Sequence, residues 1–174
     1  MKSETRIITA IISLLVIAVA VLIFLNRGDA ALKQALQENR QFLLKVDGEV
    51  AAIVGLQDVL DLKPEEFTTR LSTSATLPRD TVLQGVELRR IYRHFDIDTS
   101  GAKLYAVRGL DGYFSPLRAE EVAAENKIYV CIAMDGAILT DKSSGGWGPF
   151  LLVIRGSAFA QRWCKYIEEI DAQQ

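Results

Sequence analysis

The chain has 174 residues, 49 % of them apolar, and a formal charge of −2. That length suits one domain with a substantial core. With residues 1–25 set aside, 18 basic and 21 acidic residues remain. A slightly acidic domain excludes general nucleic-acid binding, which requires a basic face.

Ile7–Leu25, IITAIISLLVIAVAVLIFL, is 19 residues without a charge. As a helix it would reach roughly 28 Å, close to a hydrocarbon core of about 30 Å, so it predicts a single transmembrane anchor. A cleaved signal peptide is the alternative, with Gly28 and Ala30 before the cut, although its apolar region should be only about 7 to 15 residues long. Lys2 and Arg6 place the N-terminus in the cytoplasm and the domain outside it, an asymmetry that Arg27 and Lys33 weaken. The expected division is a cytoplasmic tip and anchor over 1–26, a juxtamembrane helix or stalk over 27–41, and a domain over 42–174. The expected location is the cell membrane, single-pass, with an extracytoplasmic domain. Its expected partners are the membrane and either a membrane protein or a small ligand.

Phe42–Val46 predicts a strand, and Asp47-Gly48 before Val50–Val54 predicts a hairpin turn. Leu56, Val59, Leu60 and Leu62 have helical spacing, ended by Pro64. Threonine-rich Phe67–Ser74 predicts a strand, and Ala75–Asp80 a loop. Val86–Arg93 predicts a short helix, entered through Thr81–Gly85. Lys103–Val107 predicts a strand, Asp111-Gly112 a turn, and Tyr113–Ser115 the next extended piece. Pro116–Glu125 opens with proline and carries early acids, as helices do. Lys127–Met134 is the strongest buried strand, turned by Asp135-Gly136 into Ala137–Leu139. A glycine-rich loop, Asp141–Pro149, leads to the strand Phe150–Ile154. Arg162–Ile170 is compatible with helix or strand.

Few residues offer chemistry on their own account. Cys131, Cys164 and His94 form no CxxC, HExxH or Cys/His cluster, which excludes a structural zinc site. The cysteines fit one disulfide in a domain outside the cytoplasm, and fit two buried thiols at least as well. Lys142–Gly146 could cradle a phosphate with backbone N–H groups, but lacks the P-loop order and serves equally as a flexible connection. Trp147 at its end is a candidate partner contact. Arg89, Arg90, Arg93 and His94 make a basic group with Arg79 upstream, readable as an anion site or as a solvated helix face. Asp111 and Asp135 read as turn residues, which suit Asp-Gly, and not as an acid/base pair.

Several landmarks recur in order: Gly85-Val86-x-Leu88, Asp111-Gly112-Tyr113, Asp135-Gly136, Gly148-Pro149 before FLLVI, and Arg162-Trp163-x-Lys165 before Ile170. Over Phe42–Ile170 this set resembles the oxidoreductase molybdopterin-binding domain, the sulfite-oxidase-like fold. The resemblance implies a molybdenum–pterin cofactor whose metal is held by a cysteine thiolate, with basic side chains around the pterin. By motif or position it implies Arg79, Arg162 and Lys165 as cofactor-binding residues. The ligating cysteine would fall in Arg70–Thr81, RLSTSATLPRDT, which has none. Ser72 or Ser74 would offer only a hydroxyl oxygen. The arginine expected two residues after Pro149 is Leu151, and Cys131 and Cys164 suit the core.

The expected fold class is therefore α+β: an N-terminal transmembrane helix, then one sulfite-oxidase-like mixed α/β domain with several short strands and about three short helices. The resemblance leads to a molybdopterin-oxidoreductase-like domain, degenerate at its metal site. The residues lead to a cofactor-free binding or scaffold module without a metal ligand. An accessory subunit of a membrane redox complex is the third reading.

Overall fold

A computed structural model of the chain describes residues 12–19, 21, 31–72, 77–157 and 160–174. The chain divides into two units, Met1–Ala35 and Leu36–Gln174.

The expected anchor is not upheld. Part of Ile7–Leu25 lies outside the described residues; what is described there is helical over 12–19 and at Val21. No helix among the described residues is long and apolar enough to cross a membrane. The single-pass membrane location and the extracytoplasmic placement derived from the anchor fall with it. Of the expected stalk, residues 31–38 form a helix, α1, and Leu36 in its last turns is buried.

The second unit is a mixed α/β domain with two sheets. In the first, β1 (Gln41–Val46) runs into β2 (Glu49–Gly55) through Asp47 and Gly48. Both have positive φ, 50° and 85°, as a tight hairpin turn requires. β10 (Ile167–Gln173) pairs in parallel with β1 and antiparallel with β5 (Leu104–Gly109), which pairs with β6 (Phe114–Arg118). The strand order is β2-β1-β10-β5-β6.

The second sheet has the order β3-β4-β7-β8, with β9 also on β7. β3 (Glu65–Leu71) alternates as an edge strand facing a core should, with Phe67, Thr69 and Leu71 inward. β4 (Arg79–Glu87) joins it to β7 (Ile128–Met134). Ile128–Ala133 are buried without a break, so this strand is covered on both faces. β8 is Ala137–Ile138 and β9 is Leu151–Ile154. One apolar cluster spans both sheets, with Phe42 edge-on to Phe150 at 4.8 Å between ring centroids.

Three short helices decorate these sheets: α2 (Leu56–Asp61), α3 (Leu88–His94) and α4 (Ala119–Ala123). Asp58 caps α2 by accepting the Gly55 N–H at 2.7 Å, and Glu121 does the same for Arg118 at 3.0 Å in α4.

Several boundaries differ from expectation, and β4 already begins at Arg79, inside the expected loop Ala75–Asp80. The helix predicted from Val86 starts at Leu88, because Val86 and Glu87 pair with Val130 and Tyr129 and extend β4. Pro116 does not open a helix. It lies in β6, an edge strand bonded only to β5, where a missing N–H is tolerated. The undecided Arg162–Ile170 stretch is divided between a 3-10 turn, Ala160–Arg162, and the start of β10.

Candidate functional site

The glycine-rich loop and the segment after the 3-10 turn are clasped together. Gly148 N–H donates to the Thr140 carbonyl at 2.7 Å, and Gly146 N–H to that of Asp141 at 2.9 Å. A Cβ on Gly146 would collide with the Thr140 backbone, so only glycine permits this approach. From the other side, Tyr166 donates its hydroxyl to the Gly146 carbonyl at 2.8 Å and its N–H to that of Trp147 at 3.3 Å. Tyr166 has φ 56°, a conformation unusual for a bulky residue, and these bonds hold it there.

The clasp brings Lys165 onto the Trp147 ring, with the ammonium 3.6 Å from the ring centroid, a cation–π contact. Burial lowers the Lys165 pKa, opposed by the charge of Asp111. Trp147 borders a cavity of about 320 Å³ whose other walls include Leu71, Met134, Ile138 and Leu139, with the Arg79–Asp135 pair also in the lining. It is mostly apolar with a few polar groups, the usual make-up of a small-ligand site.

Asp135 does more than form its turn. It accepts Arg79 Nη1 at 2.8 Å, the Thr81 hydroxyl at 2.8 Å and the Val82 N–H at 3.0 Å. The Arg79 hydrogen bond, then those from Val82 and Thr81, lower its pKa to about 2. Nothing in the sequence marks this role, because the partners lie more than fifty positions away. Asp111, by contrast, accepts the Tyr113 N–H within its own turn.

The three residues implied as cofactor-binding are thus separated and engaged. Arg79 is paired with Asp135 and Lys165 is stacked on Trp147, both at the same cavity wall or its Trp147 border. Arg162 lies elsewhere, forked onto Glu121 at 2.8 and 2.9 Å and onto the Pro116 carbonyl at 3.0 Å. Its companion Trp163 is in the core, 5 % exposed, with no acceptor for its indole N–H among the described residues.

The other candidates disperse as well. Arg89 pairs with Glu87 and Glu125, and Arg90 with the Leu62 carbonyl and Glu65. His94 packs edge-on to Phe95. Asp141 takes the Ser144 N–H and the Ser143 hydroxyl, so a carboxylate already fills the place a phosphate would need. Ser72 gives its carbonyl to the Ala160 N–H; Ser74 lies outside the described residues.

The residues present do not fit a metal held by a thiolate. Cys131 and Cys164 are free, and both are fully buried. Burial pushes the Cys131 thiol far up. Burial, then the charge of Asp111, pushes Cys164 up to about 12. A ligating sulfur must be deprotonated and reachable. Among the described residues no three His, Cys, Asp or Glu side chains are placed to hold a metal ion.

The two-sheet domain has a fold already seen in solved structures. One of them is the sulfane dehydrogenase SoxCD from Paracoccus pantotrophus, similar at a TM-score of 0.63 with 13 % sequence identity. The match covers 79 % of this chain and 39 % of that one, so the chain spans well under half of its counterpart. At that identity the likeness carries the fold alone. No protein-family model matches the chain, and no curated protein sequence matches it significantly.

Proposed function

We propose that the domain is a cofactor-free binding module on a molybdopterin-oxidoreductase-like fold, with the cavity beside Trp147 as its binding site for a small, largely apolar ligand. The observation that carries this reading is the internal use of both thiols and of the three residues that the resemblance implies as cofactor-binding. Both thiols are sealed in the core. Arg79, Arg162 and Lys165 are held by Asp135, Glu121 and Trp147. A cofactor would have to break two ion pairs and a cation–π stack, and would still lack its sulfur.

The test is to produce the full chain in a host that synthesises the molybdenum–pterin cofactor, and to assay the purified protein for both. The expected result is a folded protein with neither above background. Molybdenum and pterin near one per chain would overturn the reading.

A further inference from the structure

A second cavity, of about 600 Å³, lies between α3 and α4 and shares no lining residue with the Trp147 cavity. Its size is that of a small-molecule site. Ile97, Ala102, Ala119 and Val122 give it apolar walls, and Tyr92 and Tyr105 line it as an edge-on pair with centroids 5.5 Å apart.

Tyr105 is the telling residue. It is 4 % exposed, yet its hydroxyl has no hydrogen-bond partner among the described residues. The other two buried tyrosines are satisfied: Tyr92 donates to the Ile170 carbonyl at 2.9 Å, and Tyr129 to Asn126 at 3.1 Å. Trp163 is the one described residue with a buried side-chain polar atom left unpaired, so the Tyr105 hydroxyl, whose ring is buried, reaches the open cavity it lines and is available there to an occupant.

The charges at the rim give the occupant's class. Arg89 and Arg93 stand four residues apart on one side of α3, and both line the cavity. Arg89 is neutralised by Glu87 and Glu125; the Arg93 guanidinium has no partner among the described residues. A free guanidinium fork matches a carboxylate. Asp98 and Glu120 share the rim, and they would repel a second negative charge. Polyphosphates are thereby disfavoured, while a single carboxylate is accommodated.

We propose that this cavity is a binding site for a small monocarboxylate with an apolar, preferably aromatic, body and one hydrogen-bonding group that reaches the Tyr105 hydroxyl. The carboxylate takes Arg93, the body lies against Ala102, Ala119 and Val122, and the polar group meets Tyr105.

The probes are phenylacetate and 4-hydroxyphenylacetate, titrated calorimetrically into the full chain, with ATP as the polyanion. Both acids should bind saturably, the hydroxylated one several-fold tighter, and ATP should not compete. Arg93→Gln should weaken both by about tenfold or more. Tyr105→Phe, which keeps the ring and so the packing, should abolish the preference for the hydroxylated acid. Trp147→Ala, at the other cavity, should leave both affinities within about twofold. Absence of saturable binding up to about 10 mM, affinities unchanged in Arg93→Gln, or a preference that survives Tyr105→Phe would each overturn the proposal.

Discussion

Gly85 shows why a landmark residue need not be a functional one. It sits where the β4–β7 register shifts. A Cβ there would lie 2.6 Å from the Val130 carbonyl oxygen and 2.8 Å from Cys131 Cα. Backbone atoms in a ladder cannot yield, so Gly85→Ala should destabilise the domain by about 2 kcal/mol or more, read as a lower urea midpoint. Glu121 gives the pH dependence. The Arg162 hydrogen bonds lower its pKa from an ordinary 4.5 to about 2. A lowered folded-state value means that the pair's stabilisation is complete above the ordinary value and is lost as pH falls towards about 2. For this partly exposed pair it is about 1 kcal/mol. Urea melts of the protein and of Glu121→Gln should therefore differ at about pH 6 and converge towards about pH 2. A gap independent of pH would refute that assignment.

At the scale of elements, β4 and α3 are joined by a buried acid. Glu87, the last residue of β4, accepts Arg89 Nε at 2.9 Å and also the Asn126 N–H, while only 5 % exposed. Glu87→Ala leaves both donors without their acceptor and should cost about 2 kcal/mol, measured by chemical denaturation. The sequence makes the elements legible where local chemistry decides them. Asp47-Gly48 and Asp135-Gly136 turn as their residue types demand, and the unbroken apolar run of β7 is a strand covered on both faces. It misleads where tertiary pairing overrides local preference. Val86 and Glu87 extend a strand because Val130 and Tyr129 are beside them, and Pro116 sits in a strand because that strand is an edge. The apolar run Ile7–Leu25 satisfies a length rule for an anchor, yet no described helix has that length. The candidate site was less legible than the elements. Trp147 and Lys165 are visible as residue types, but their stacking depends on the clasp between Gly146 and Tyr166, twenty positions apart. The partners of Arg79, Arg162 and Tyr105 lie, or fail to lie, across folded distances that spacing does not encode.

For the molecule as a whole, the two cysteines give a direct test of closure. Native protein should not react with dithionitrobenzoate at neutral pH, because both thiols are buried and their pKa values raised. Denatured protein should release two equivalents per chain. Rapid native labelling would mean that the core opens on the timescale of the reaction. The same core explains how the fold holds together without a metal-ligating thiolate. The sheets are held by apolar packing across both layers.

The parallel pairing of β1 with β10 sets the order of events during synthesis. Leu43 lies opposite Glu169, so nearly the whole domain must leave the ribosome before the first sheet can close. Until then β1 and β5 flank a gap that only β10 fills. A nascent chain in that condition carries two open strand edges, which invite pairing with other chains. Contacts of such long sequence separation also place folding among the slower topologies. The strand made last is thus the one on which its earlier neighbours wait, and a host with slow translation or scarce chaperones would meet the domain at its most aggregation-prone.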